Sequence, residues 1–312
     1  MREAEVIVKE MLNARWVGQE AERAALSLPV TREEAFESFY SYLAVDEPAV
    51  HLMPLHFLPH ALQGQVDEDL LGGLAVAAKL EYARNRWLDR MADHPDFVPE
   101  LCSTHRVNDA VLDLIHSHYT RVLDVEAAAA FFPALSSLYA AYGMSLILDS
   151  AWYRNFASSM TLEEYTEHAR ARHGPVRASM DAVLLSLGAS DGLLGRARDA
   201  WHNWALGVQF YDDAIDIEED FRDRNLSWAV SRALEYFDGR SGERGMPDPD
   251  AFYEVALTEG VISETLGHAE SFFGESARLA RPTFPSWTAY QRACMDRVRL
   301  LREDYEKMIA GA

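Results

Sequence analysis

Residues Gln209-Phe210-Tyr211-Asp212-Asp213-Ala214-Ile215-Asp216-Ile217-Glu218-Glu219-Asp220 carry six acidic side chains in their last nine positions. On a helix of about 3.6 residues per turn, Asp212, Asp216 and Asp220 recur at i, i+4 and i+8. Gln209, Asp213 and Asp216 recur at i, i+4 and i+7, so both sets line one stripe. Stacked like charges destabilise a helix, and acids near its C-terminal end also oppose the macrodipole. A compensating partner is implied. A hard divalent cation supplies one, since Mg²⁺ takes oxygen ligands, keeps several waters, and is usually held by one or two carboxylates together with substrate phosphates. A solvated acidic face on an acidic protein has the same pattern, and this stretch alone does not separate the two readings.

A second acidic pair lies some 120 residues earlier. The segment Leu80-Glu81-Tyr82-Ala83-Arg84-Asn85-Arg86-Trp87-Leu88-Asp89-Arg90-Met91-Ala92-Asp93 reads as one helix that stops at His94-Pro95. Asp89 and Asp93 share a face, with Asn85 and Tyr82 one and two turns back, so the stripe runs from acids at the helix end to an aromatic further in.

The surrounding chain is helical throughout. Ala, Leu, Glu and Arg dominate long stretches of the 312 residues, Gly and Pro cluster, and alternating β-branched runs are nearly absent. Helices are expected over about 3–25, 31–44, 67–93, 105–122, 125–155, 161–186, 192–222, 250–280 and 285–309, with 48–64 a less definite tenth. Breakers stand at His94-Pro95-Asp96, Ser158-Ser159, Gly188-Ala189-Ser190-Asp191-Gly192 and Phe284-Pro285. The polar stretch from Asp238 to Asp250 is the best candidate for a mobile loop. With no interdomain linker and no 20–50-residue repeat, the expectation is an all-α fold in a single domain over 1–312.

The remaining composition narrows the setting. A balance of 29 Lys+Arg against 50 Asp+Glu, formal charge -21, opposes binding to nucleic acid or an anionic membrane. Cys102 and Cys294 are too few for a disulfide framework, which fits a reducing cytoplasm. The first residues lack the layout of a secretory signal. Ala127 to Leu148 has no charged residue and is long enough to span a bilayer. Pro133, Ser136, Ser137, Tyr139, Tyr142, Gly143 and Ser145 within it, and acids rather than Lys/Arg at its flanks, predict a buried central helix and no stable membrane span.

The pattern Gln-x-x-Asp-Asp-x-x-Asp over Gln209 to Asp216 resembles the second aspartate-rich motif of trans-prenyl diphosphate synthases. Asp89-Arg-Met-Ala-Asp93 resembles a degenerate first motif with Arg90 in place of its second Asp. Asp212, Asp216 and Asp220 are also spaced like the metal-binding triad of terpene cyclases, with Asp at all three positions. The resemblance to this class I isoprenoid synthase superfamily covers most of the chain in helix order, and residues 78–93 and 165–228 in detail. It implies a bundle of about ten helices around a central cavity, in which the two motifs face each other. There Asp89, Asp93, Asp212, Asp216 and Asp220 hold about three Mg²⁺ ions that grip an allylic prenyl diphosphate, and Asp213 joins them in the catalytic set.

An acidic protein handling an acidic substrate also needs well-placed cations. By analogy with the family, Arg172 takes the diphosphate from about 40 residues before Asp212. Arg224 and Asn225 follow the second motif, and Arg302 with Tyr305 stands in for a C-terminal arginine–tyrosine pair. Tyr82, Asn85, Gln209 and Phe210 are expected at the cavity. Tyr139, Tyr142, Trp152 and Trp204 lie on the same predicted helices, and aromatic faces stabilise a carbocation.

Elongating synthases bind a second diphosphate through a Gly-Gly-Lys-Arg segment and an Arg-Arg-Gly after the first motif, and neither is present. That absence favours a terpene cyclase acting on one C15 or C20 diphosphate. The alternatives are a prenyltransferase or prenyl diphosphate synthase-like condensation, and a catalytically decayed helical interaction protein. A di-iron carboxylate bundle is disfavoured because no histidine has Glu three residues before it, and an HD-type phosphohydrolase because no His-Asp dipeptide occurs. A homodimer is compatible with the resemblance.

Overall fold

The computed structural model describes residues 14–44, 68–93, 100–154, 160–225, 227–241 and 248–311. Every regular element among them is helical, as expected. They are α1 (Ala14–Leu26), α2 (Glu34–Leu43), α3 (Glu68–Asp93), α4 (Leu101–Val122), α5 (Val125–Arg154), α6 (Leu162–Arg172), a 3-10 turn (Pro175–Arg177), α7 (Ala178–Ser186), α8 (Asp191–Ile215), α9 (Ile217–Asp223), α10 (Trp228–Ser241), α11 (Pro249–Thr258), α12 (Val261–Ala280) and α13 (Pro285–Gly311). The uncertain helix at 48–64, the start of 3–25, the breakers His94-Pro95-Asp96 and Ser158-Ser159, and the middle of the polar stretch after Asp238 lie outside the described residues.

The local chemistry at the helix ends is conventional. Thr161 caps α6 in a reciprocal box: its hydroxyl accepts from the Glu164 N–H while the Glu164 carboxylate accepts from the Thr161 N–H at 2.8 Å. Asp124 accepts from the Ala127 N–H at the start of α5, and Asp248 caps α11 just before Pro249.

Two compact units are formed, one from 1–142 and 174–198, the other from 143–173 and 199–312. In the first, α3 packs against α1, α2, α4 and α7. Its apolar side, including Leu74, Ala77, Leu80, Ala83 and Trp87, is fully buried. Trp87 meets Phe39 of α2 edge-on, and Tyr119 of α4 meets Phe131 of α5 at 4.6 Å. The same helix buries Lys79, Glu81, Arg84 and Asn85, an unusual polar load for a core helix. In the second unit α12 and α13 form the most extensive helix pair, and α10 packs on α11 and α12. Gly207 of α8 lets the Phe273 ring of α12 close in, because a Cβ there would lie 2.8 Å from the ring.

Three predicted helices are each divided. The chain breaks 161–186 at His173-Gly174-Pro175, 192–222 at Asp216, and 250–280 at Gly260, whose φ of +73° is a left-handed conformation that glycine adopts without strain. One helix, Trp228–Ser241, falls where none was expected, and it takes in the first residues of the anticipated loop. The charge-free segment 127–148 is a correction. It lies in α5, and Ala127, Phe131, Leu135, Tyr142 and Ser145 are buried, but Met144 and Ile147 are 57% and 61% exposed, so one face is buried rather than the whole helix. By length and composition this is the one helix, among the described residues, able to cross a membrane.

Candidate active site

The second acidic motif spans the end of α8 and the start of α9. Asp216 sits between them with φ -102° and ψ 12°, outside ideal helix geometry. The register nevertheless continues, because the Asp216 N–H donates to the Asp212 carbonyl at 2.9 Å and the Asp220 N–H to the Asp216 carbonyl at 2.8 Å. The i, i+4, i+8 relation of Asp212, Asp216 and Asp220 therefore survives the interruption.

The acids on this segment divide into two kinds. Asp212 and Asp216 are exposed and Asp220 is half-buried. Asp213 points the other way and is 1% exposed. Its carboxylate accepts from the Tyr165 hydroxyl of α6, from Gln209 Nε2 at 2.8 Å, and from the Trp228 N–H at 3.0 Å, where α10 begins. Gln209 in turn pairs through Oε1 with His173 Nε2 at 2.9 Å. Asp213 is a hydrogen-bond hub joining α6, α8 and α10, and its lone pairs are engaged by protein donors.

Charge at the segment is poorly compensated. Burial, reinforced by the Asp213 and Asp216 charges, raises Asp220 to about 8 against the hydrogen bonds of Ser227 and Asn225. Burial raises Asp213 to about 6 although Tyr165, Gln209, the Trp228 N–H and the Arg172 charge all favour its ionised form. Asp216 is raised too, by burial and by Glu219. Burial lowers His173 to about 4 against its Gln209 bond, leaving the ring neutral. On the stripe itself Asp216 and Asp220 both have raised pKa values, and carboxylates whose charge is so poorly compensated are donors suited to a hard cation. Among the described residues no three His, Cys, Asp or Glu side chains converge on a point.

The first motif lies in the first unit. The Tyr142 hydroxyl of α5 donates a bifurcated hydrogen bond to Asp89 Oδ1 at 2.9 Å and to the Asn85 carbonyl at 2.8 Å, fixing the Asp89 carboxylate. Arg90 is exposed, and Asp93 ends α3 with its side chain outside the described residues. Asn85 is buried beside Arg84, which donates to Asn108 at 2.9 Å and lies over the Tyr139 ring. Tyr82 is half-buried on the adjoining face.

The candidate diphosphate ligands are dispersed through the second unit. Arg172 ends α6, and its charge is felt at both Asp213 and His173. Arg224 is exposed at the C-terminus of α9 with φ 60°, and the Asn225 N–H donates to the Asp220 carbonyl at 2.8 Å. Arg302 is committed to Glu270 at 2.8 Å. The Tyr305 and Tyr253 hydroxyls interact, and Tyr253 also feels the Glu218 charge, so Tyr305 lies in the neighbourhood of α9. Phe210 is wholly buried among Tyr165, Phe272, His268 and Trp228. Trp204 is likewise buried, against Trp201 at 4.8 Å.

Three residues escaped sequence reasoning. Tyr165 and the backbone at Trp228 hold Asp213, and Asp149 reaches Arg172 across 3.6 Å. No local pattern marks them, because each partner lies on a different helix.

No protein-family model and no curated protein sequence matches the chain. Solved structures do. A geranylgeranyl pyrophosphate synthetase from the archaeon Geoglobus acetivorans superposes with a TM-score of 0.74 at 14% identity, covering 94% of this chain and 98% of that one. The geranylgeranyl pyrophosphate synthetase of Pyrococcus horikoshii Ot3 gives 0.71 at 15% identity, with 97% and 98% covered. A geranylgeranyl pyrophosphate synthase from Corynebacterium glutamicum, complexed with isoprenyl diphosphate and magnesium, gives 0.67 at 16% identity, with 95% and 97% covered. At these identities the likeness concerns architecture, and the chain has the all-α fold of the class I isoprenoid synthases.

Proposed function

We propose that the protein is a Mg²⁺-dependent enzyme that ionises an allylic prenyl diphosphate and transfers the prenyl group in a condensation, with 1–312 acting as one domain. The observation that carries this reading is the stripe of Asp212, Asp216 and Asp220, maintained across a helix break, in a chain with the fold of prenyl diphosphate synthases. The sequence alone favoured cyclisation. The fold neighbours are prenyl diphosphate synthases over nearly their full length, and that shifts the balance to condensation.

Asp212, Asp216 and Asp220 of the second unit are the proposed Mg²⁺ ligands there, Asp89 and Asp93 those of the first, with about three ions in all. When bound, the metal supplies Lewis-acid stabilisation of the leaving diphosphate. The chain's own groups do the rest. Arg172, Arg224 and Asn225 are the proposed diphosphate contacts, with Tyr305 beside them and Arg302 the weakest member because of Glu270. Tyr142 keeps Asp89 in one orientation, and Asp213 holds α6, α8 and α10 together beneath the acids. The C–O bond of the allylic diphosphate breaks with its electron pair leaving on the diphosphate. The acceptor's double bond attacks the allylic cation to form a new C–C bond, and a proton then passes to the released diphosphate to give the product alkene. Water must be excluded throughout.

Cyclisation is kept as a second reading because the chain lacks both segments that take a second diphosphate and carries Arg90 within the first motif. Incubation with C10, C15 and C20 allylic diphosphates plus Mg²⁺, with and without isopentenyl diphosphate, separates them by mass spectrometry. Longer diphosphates formed only with both substrates support condensation. Hydrocarbon from a single substrate establishes cyclisation instead, and no turnover with no Mg²⁺-dependent diphosphate binding leaves a helical interaction protein.

A further inference from the structure

Near the C-terminal end of α5 and along α6 of the second unit, Asp149 and His168 form a charged cluster with Arg172. His168 and Arg172 lie one turn apart on α6 and both face Asp149 of α5. His168 Nε2 is 2.8 Å from Asp149 Oδ1, and Arg172 Nη1 is 3.6 Å from Asp149 Oδ2. The His168 and Asp149 side chains are only 5% and 9% exposed, whereas that of Arg172 is 27% exposed. The Trp152 ring lies 4.5 Å from the His168 ring and covers it. His168 Nδ1 is buried with no hydrogen-bond partner, so the tautomer that fits carries its proton on Nε2 and donates it to Asp149.

The arrangement is directional. Asp149 is gripped on one oxygen by a ring that packing holds still, and it presents the other to Arg172. Burial works to raise the Asp149 pKa, but the Arg172 charge and the His168 hydrogen bond prevail and leave it below the ordinary value, so it stays ionised. The separation from Arg172 is that of an ion pair without a hydrogen bond, so the acid orients the guanidinium by its field rather than by enclosing it. The Arg172 charge also favours the ionised form of Asp213 in the second acidic motif. An arginine that must meet a diphosphate gains from being held before the ligand arrives, because its rotamer entropy has already been surrendered.

We propose that Asp149 and His168 are positioning residues for Arg172, with His168 clamping Asp149 and Asp149 aiming the guanidinium at the diphosphate. The inference rests on the proposed function only in taking Arg172 as a diphosphate contact. It assigns no contact with substrate to Asp149 or His168.

The test is a double-mutant cycle on the full chain, read by calorimetric binding of inorganic pyrophosphate in excess Mg²⁺, with thermal melts reporting folding. Arg172→Gln should weaken binding about tenfold or more, the loss of a charge-assisted contact. Asp149→Asn should weaken it several-fold, and the double variant should bind no more weakly than Arg172→Gln, since Asp149 acts only through Arg172. Losses that multiply, or Asp149→Asn binding as well as or better than wild type, would overturn the proposal while leaving the diphosphate reading intact. Wild-type protein that binds no pyrophosphate with Mg²⁺ overturns both. If Asp149→Asn does not fold, the same cycle with His168→Phe, which keeps the ring against Trp152 and removes the donor, decides the matter by the same criteria.

Discussion

At the scale of single residues, neighbouring aspartates of one motif separate into different roles. Asp216 is exposed on the stripe, so Asp216→Asn removes the proposed ligand oxygen without changing shape. We expect turnover to fall at least about a hundredfold, as when a transition-state charge stabiliser is lost, with an unchanged melting temperature. Asp213→Asn should behave in reverse. Its new amide group would face one of the three donors from Tyr165, Gln209 and Trp228, costing about 1–3 kcal/mol of stability. Urea denaturation checks both, and an Asp213→Asn protein of wild-type stability would remove Asp213 from its place as a hub. Glu81 gives a prediction in pH. Burial raises its carboxyl to about 7 against the opposing effects of Tyr139, Tyr119 and Arg84. A carboxyl whose folded pKa is raised stabilises fully below its unfolded value, about 4.3, and that contribution is lost as pH rises through about 7. Gln at this position stays neutral and still accepts from the Tyr119 hydroxyl, now 3.0 Å from Glu81 Oε2. Glu81→Gln should therefore melt higher than wild type at pH 8 and with no advantage at pH 4. Equal melting temperatures at pH 8 would mean that the folded protein does not hold this group's pKa up.

At the scale of helices, Gly195 and Gly207 of α8 carry opposite expectations. A Cβ at Gly207 would meet the Phe273 ring at 2.8–2.9 Å, inside the α8–α12 contact, whereas nothing lies within 4 Å of one at Gly195. Gly207→Ala should cost about 1–3 kcal/mol by overpacking. Gly195→Ala should gain up to about 1 kcal/mol from helix propensity. Chemical denaturation of the two variants side by side checks the pair, and equal effects would mean that α8 and α12 are not in close contact at Gly207. Helix class and most helix positions were legible because the periodicity of Ala, Leu and charged residues is a local property. Breaks at Asp216 and Gly260 were not, since each interrupts a pattern that resumes at once. The α10 helix was missed because much of its buried side is small, Ala229, Val230 and Ala233 beside Trp228, and gives a weak apolar signal next to a glycine-rich stretch. The acidic stripe could be read for the opposite reason: repeated charge at four-residue spacing stands out within a dozen residues. The orientation of Asp213 could not, because besides Gln209 its partners lie 48 residues before it and 15 after.

At the scale of the whole molecule, the formal charge of -21 makes a diphosphate an unwelcome ligand unless cations arrive with it. Mg²⁺ and diphosphate should then stabilise the protein jointly and hardly at all singly. A ligand at a hundred times its dissociation constant adds about 2.7 kcal/mol, enough to raise the melting temperature by a few degrees in a chain of this size. Inorganic pyrophosphate alone, Mg²⁺ alone and Mg²⁺ with sulfate should each leave the melt close to that of the free protein. The same measurement bears on whether the two acidic motifs serve one ligand. Asp89 belongs to the first compact unit and Asp216 to the second. If both contribute to one metal–diphosphate cluster, Asp89→Asn and Asp216→Asn should each abolish most of the joint shift, and the double variant should lose no more than either one. A full shift in Asp89→Asn with none in Asp216→Asn would confine the ligand to the second motif. Arg90 would then mark a first motif that takes no part in holding the metal and the diphosphate.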